Sequence, residues 1–166
     1  MAQIEFLPHD NAEEAIIAWR VWRVNPFPLY PDKPGDLYFL SSLSNSAPWK
    51  PRERFEATCH LAMHTAPKET CTCGIYSKKT DADLRAYMKE SHFIYEPALL
   101  MESYVSLCLA IGKVSLWGEI VEGETGYRAQ YAYPYDITLI ADDNRVAQSL
   151  REQYQVDVRM DEQWRP

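Results

Sequence analysis

Apolar and polar positions alternate with a period of two through most of this chain, which is the pattern of half-buried strands. The run IIAWRVWRV at residues 16–24 is β-branched and aromatic and reads as a strand. LYFLSSLS (37–44) reads as a second. In RFEATCHL, an extended backbone puts Phe55, Ala57, Cys59 and Leu61 on one face, and CTCGIYS (71–77) returns as another strand. KVSLWGEIVEG (113–123) alternates with Val114, Leu116 and Ile120 on one side and Trp117 on the other. The stretch Glu122-Gly123-Glu124-Thr125-Gly126 then reads as a hairpin loop whose glycines supply positive φ, with YRAQYAYPYDITLI (127–140) as the returning strand. Residues 156–160 form a short last strand. ALLMESYVSLCLAIG (98–112) fits either a helix or a strand, since Val105, Leu107, Leu109 and Ile111 alternate.

Helical spacing occurs elsewhere. Thr80 stands as an N-cap with Asp83 in a capping box, and Leu84, Tyr87 and Met88 make an apolar stripe in a helix that runs to about Ser91. Asp142 or Asp143 caps a second helix with Val146, Ala147, Leu150 and Tyr154 inward. Asp10 or Asn11 marks a third helix start, with Glu13 and Glu14 in its first turn. Pro26, Pro28, Pro31 and Pro34 make residues 25–35 a loop, and residues 45–51 are a turn-rich connection around Trp49. The pattern predicts an α+β fold on a mainly antiparallel sheet, open to curling into a partial barrel, with about seven strands and two or three short helices. With no repeat and no Gly/Ser linker, residues 1–166 read as a single domain.

Composition changes this picture in two ways. Aromatic residues reach 13%, which fits a β-rich core or a stacking surface. A net charge of −7 argues against a protein that grips nucleic acid through phosphates alone. The sequence has no run of 18 apolar residues, and MAQIEFLPHDNAEEA lacks a basic leader region, so the expectation is a cytoplasmic protein without a membrane partner. Thiols stay reduced in that compartment, which favours metal ligation or core filling over disulfides for the four cysteines.

Three of those cysteines and two histidines crowd into one segment, Cys59, His60, His64, Cys71 and Cys73. Thiolate sulfur and neutral imidazole are the donors that tetrahedral zinc takes, and four of them filled by protein make a structural site with no open position for water. The spacing C-x4-H-x6-C-x-C suits a zinc clip of Cys59, His64, Cys71 and Cys73. His60 is the rival fourth ligand, placed on the opposite face from Cys59 in a regular strand. Two other readings stay open: buried or free thiols with incidental histidines, and a reactive Cys71 or Cys73 with His60 or His64 as base. Cys108, alone in an apolar run, reads as a core filler.

A second constellation lies on the hairpin. Tyr127, Tyr131, Tyr133 and Tyr135 share one face of an extended strand, with Arg128 and Gln130 on the other. Such a row is either half of the core or a stacking surface, with Trp117, Tyr127, Arg128 and Tyr131 as candidate ligand contacts. Phosphate-loop glycines, a G-x-S-x-G elbow and an H-E-x-x-H pair are all missing from the sequence.

The segments HTAPKETCTCGIYS and KVSLWGEIVEGETGYRAQYAYP together resemble a family of small bacterial and phage proteins with H-x-x-P, C-x-C-G-I-Y and V-x-L-W-G…G-Y-R-A…A-Y-P segments. The likeness runs from Arg54 to Pro134, and this chain carries extra residues between the Thr80 helix and the Trp117 strand. That family has no settled activity, so the resemblance implies no reaction; it implies that the two segments are parts of one unit. Two functional classes follow. The first is a non-catalytic zinc-stabilised binding or interaction module for a protein partner or a small ligand, conceivably a nucleotide or nucleic acid met by the aromatic hairpin. The alternative is a cysteine-dependent enzyme using a thiol near His60 or His64.

Overall fold

The computed structural model describes residues 15–26, 37–43, 47–91 and 108–166. The helix start at Asp10 or Asn11, the proline loop beyond Pro26 and the first part of the ambiguous apolar run lie outside them. Among the described residues the chain is a mixed α/β structure of nine strands in one mostly antiparallel sheet and two helices. No helix among them is long and apolar enough to cross a membrane.

The strands are β1 (Ile16–Pro26), β2 (Tyr38–Ser41), β3 (Pro48–Trp49), β4 (Phe55–Glu56), β5 (Ile75–Lys78), β6 (Cys108–Glu122), β7 (Gly126–Pro134), β8 (Asp136–Leu139) and β9 (Asp157–Met160). The helices are α1 (Asp81–Glu90) and α2 (Asn144–Tyr154). β1 and β6 pair continuously from Ile16↔Leu116 to Val24↔Cys108 and form the spine. β6 turns through the hairpin into β7, whose far edge carries β5 and β4. β8 pairs with β6, and β9 lies parallel to β8. β5 returns to β1 only through the bridge Trp19↔Lys78, and β3 and β9 remain as the two ends of the strand order, so the sheet is not a clear barrel.

Both faces of β1 are buried, which is why its sequence is an almost unbroken apolar run. Ala18, Trp22 and Val24 enter the main core beneath α2, with Val146, Ala147, Leu150 and Tyr154 above them. Val21 joins Leu109 and Ile111 in a second core, closed by Leu84 and Met88 of α1 and by Trp164. The expected caps are in place: Thr80 and Asp83 form the reciprocal capping box of α1, and the Asp143 carboxylate accepts from the backbone of Arg145 and Val146 at the start of α2.

Several local expectations change. β1 extends through Pro26, which sits at its end opposite Tyr38, and the turn-rich connection contains the short strand β3. Strand structure in RFEATCHL stops at Glu56; Cys59 lies in an irregular segment, and Leu61 is 79% exposed. Strand structure in CTCGIYS starts only at Ile75, after both cysteines. The β6–β7 register steps from Trp117↔Tyr131 to Ile120↔Ala129, an extra residue on β6 that puts Ile120 on the same side as Trp117. Gly118 makes this bulge possible, with φ +77 and Tyr131 Cδ2 only 2.7 Å from where a Cβ would stand. Positive φ therefore falls at Gly74 and Gly118 and not at the glycines of the hairpin loop.

Tyr154 ties α2 to the sheet. Its hydroxyl donates to the Trp49 carbonyl at 2.5 Å and accepts from the Leu40 N–H at 2.8 Å. Its own carbonyl accepts from the Tyr133 hydroxyl at 2.9 Å. Tyr154→Phe leaves two buried backbone groups without partners, and the expected loss is about 2 kcal/mol of unfolding free energy. Urea titration checks this; an unchanged midpoint contradicts it.

Candidate metal centre

Residues 57–74 link β4 to β5 without helix or strand. Three features fold this irregular path. The Ala57 N–H donates to the Gln130 carbonyl at 2.8 Å, which attaches its start to β7. The Ala66–Pro67 peptide is cis, and both residues are buried. Gly74, at φ +124, brings the backbone so close to the Cβ atoms of Pro67 and Arg128 that a Cβ of its own would lie 3.0 Å from each.

The result is that the donor atoms of Cys59, His64, Cys71 and Cys73 all lie within 4.8 Å of one another. Cys59 Sγ is 3.7 Å from Cys71 Sγ, and Cys73 Sγ is 4.0 Å from His64 Nε2. A disulfide needs sulfurs about 2.05 Å apart, so 3.7 Å is no bond, and all four cysteines are free. Sulfurs bound at about 2.3 Å to one tetrahedral ion stand about 3.8 Å apart. The Cys59–Cys71 pair has that spacing, and with the other two donors within 4.8 Å the group is placed to bind a metal ion.

The groups around the cage suit it. His64 Nδ1 lies 2.8 Å from the Thr65 carbonyl, a contact that suits a proton on Nδ1 and turns Nε2 toward Cys73. The Cys73 N–H is the main influence holding the Cys71 thiol below the ordinary range, with burial working against it. Burial is the main influence raising the Cys73 thiol. Arg128 reaches from β7 and its Nη1 donates to the carbonyls of Cys71 at 2.5 Å, Cys73 at 2.7 Å and Lys68 at 3.3 Å. Tyr76 Oη donates to the Thr72 carbonyl at 2.5 Å. The rival ligand His60 is exposed, with Nε2 3.3 Å from Thr58 Oγ1, and is outside the cluster. Cys108 is also outside it; the chain packs it against the main core, where burial pushes its thiol up to about 12.

The four hairpin candidates divide. Trp117 and Tyr131 face each other across β6 and β7 with ring centroids 6.0 Å apart, both half-buried. The Arg54 guanidinium lies over the Tyr131 ring at 4.0 Å, a contact that no local sequence pattern signals. Tyr127 stands farther along β7, packed on the core with Lys79 Nζ 5.4 Å above its ring. Arg128 is engaged by the carbonyls of Lys68, Cys71 and Cys73. Among the other tyrosines of that face, Tyr133 is buried and Tyr135 is half-exposed.

No protein-family model matches the chain, and neither the curated proteins nor the solved structures give a match.

Proposed function

We propose that this protein is a non-catalytic binding module whose fold is pinned by one structural zinc ion held by Cys59, His64, Cys71 and Cys73. The convergence of three sulfurs and one correctly presented imidazole nitrogen within 4.8 Å is the observation that carries the reading. All four positions are filled by protein donors, which is the composition of a stabilising site and not of a hydrolytic one. A zinc ion with three thiolates carries a single net negative charge, and the Arg128 guanidinium against the Cys71 and Cys73 carbonyls offsets it. The two segments that resemble one small bacterial and phage family are the metal loop and this hairpin, and Arg128 is what joins them.

The binding face in this proposal is the Trp117–Tyr131 pair with Arg54, where a flat ligand such as a nucleobase can stack. A protein partner that inserts an aromatic side chain uses the same chemistry. The cytoplasm is the setting that keeps the three thiols reduced.

Purified without added metal, the protein is expected to hold about one zinc per chain by elemental analysis, with Cys59, Cys71 and Cys73 slow toward a chromogenic disulfide. Cys73→Ser is expected to lose the zinc and to lower the melting temperature markedly. Zinc-free protein with one fast thiol supports the cysteine enzyme instead. For the binding face, quenching of Trp117 fluorescence by a short oligonucleotide is expected to weaken with salt; no quenching at low salt removes nucleic acid as the ligand.

A further inference from the structure

A cavity of about 470 Å³ opens where β2 and β5 diverge along the edge of β1. Its floor includes Trp19, Arg20 and Val21 of β1, β5 forms one wall, and Leu84 and Tyr87 of α1 cover it. It uses none of the metal ligands and neither ring of the Trp117–Tyr131 pair. Among the described residues no carboxylate lines it, although the chain as a whole carries a net charge of −7. Two cationic residues do line it, Arg20 and Lys78.

Arg20 is the unusual member. It belongs to the side of β1 that carries Ala18 and Trp22 into the main core, and its guanidinium sits 4.9 Å from the Trp49 ring centroid. Nη1 donates to the Tyr76 carbonyl and Nη2 to Ser42 Oγ at 3.1 Å, while Nε is buried with no partner. The Ser77 hydroxyl, on the cavity wall, is likewise buried with no partner. Burial lowers the Arg20 pKa to about 10, which still leaves it protonated at neutral pH. Arg20 is half-buried, and among the described residues no carboxylate pairs with it, so a cation with a buried, unpartnered Nε lines the cavity. Lys78 adds a second cation, its Nζ 5.0 Å from the Tyr87 ring centroid and 3.4 Å from Thr125 Oγ1.

We propose that this cavity binds a phosphate ester carried on a planar ring, with the phosphate met by Arg20, Lys78 and the Ser42 and Ser77 hydroxyls and the ring by Trp19 and Tyr87. Two cations and two hydroxyls match a dianion with three acceptor oxygens better than a singly charged carboxylate. The volume lies within the range of small-ligand sites, and aromatic walls with a few polar groups are their usual lining.

The test uses the full-length protein with its bound metal, at fixed ionic strength, and calorimetric titration with adenosine monophosphate, inorganic phosphate, benzoate and adenosine. Adenosine monophosphate is expected to bind, inorganic phosphate more weakly, and benzoate and adenosine hardly at all. Arg20→Met and Lys78→Gln are each expected to weaken adenosine monophosphate roughly tenfold or more, the loss of one charge-assisted contact. Arg20→Met also removes the contacts to Tyr76 and Ser42 and is expected to melt somewhat lower than the parent, so binding by the parent protein decides. If Arg20 serves only to brace Tyr76 and Ser42, the parent binds none of the four probes. That result overturns the proposal, as does binding of adenosine or benzoate equal to that of the monophosphate. Lys78 is not part of either core, so Lys78→Gln remains a test if Arg20→Met fails to fold, and unchanged affinity in it also overturns the proposal.

Discussion

Residues 57–74 have almost no hydrophobic reason to stay folded. Leu61 and Met63 are exposed, and Ala66 and Pro67 are the only buried residues of the segment. Ordering backbone costs about 1–2 kcal/mol per residue, far more than burial of an alanine and a proline returns. Irregular stretches of this length are uncommon in compact domains unless something ties them down. The constraint on which this region depends is the meeting of Cys59, His64, Cys71 and Cys73, reinforced from β7 by Arg128.

What the clip positions is β5. Gly74 follows Cys73 directly, and the strand begins at Ile75. From there a chain of polar contacts crosses the domain: Tyr76 Oη to the Thr72 carbonyl, Arg20 to the Tyr76 carbonyl, and Arg20 again to Ser42 after β2. β5 meets β1 at the Trp19↔Lys78 bridge and otherwise hangs from β7, so the cavity between β2 and β5 exists because β5 is held away from β1. The Cys/His loop and the cavity share that wall.

The features legible in the sequence are those fixed by local chemistry. Thr80 and Asp83 announce α1 because a capping box needs only residues three apart, and Val146, Ala147, Leu150 and Tyr154 announce α2 through their spacing. The clustering of Cys59, His64, Cys71 and Cys73 was legible because thiols and imidazole have few alternative uses in so short a segment, while the exclusion of His60 needs the structure, which leaves it exposed beside Thr58. Strand limits were less legible, because alternation cannot tell a paired extended segment from an unpaired one: RFEATCHL alternates beyond Ala57, whose N–H makes the last bond to β7 before β5 takes that edge. The bulge at Gly118 is invisible for a related reason, since it is defined by the partner strand. Arg20 stands in an apolar run as an ordinary outward-facing position of β1 would, and only the divergence of β2 from β5 reveals that it is half-buried on a cavity.

X-ray absorption at the zinc edge of the purified protein examines the central claim most directly. The account predicts three sulfur neighbours at about 2.3 Å and one imidazole nitrogen at about 2.0–2.1 Å, with no oxygen in the coordination sphere. A shell of oxygen and nitrogen alone, or protein that takes up no zinc with its thiols reduced, would contradict it.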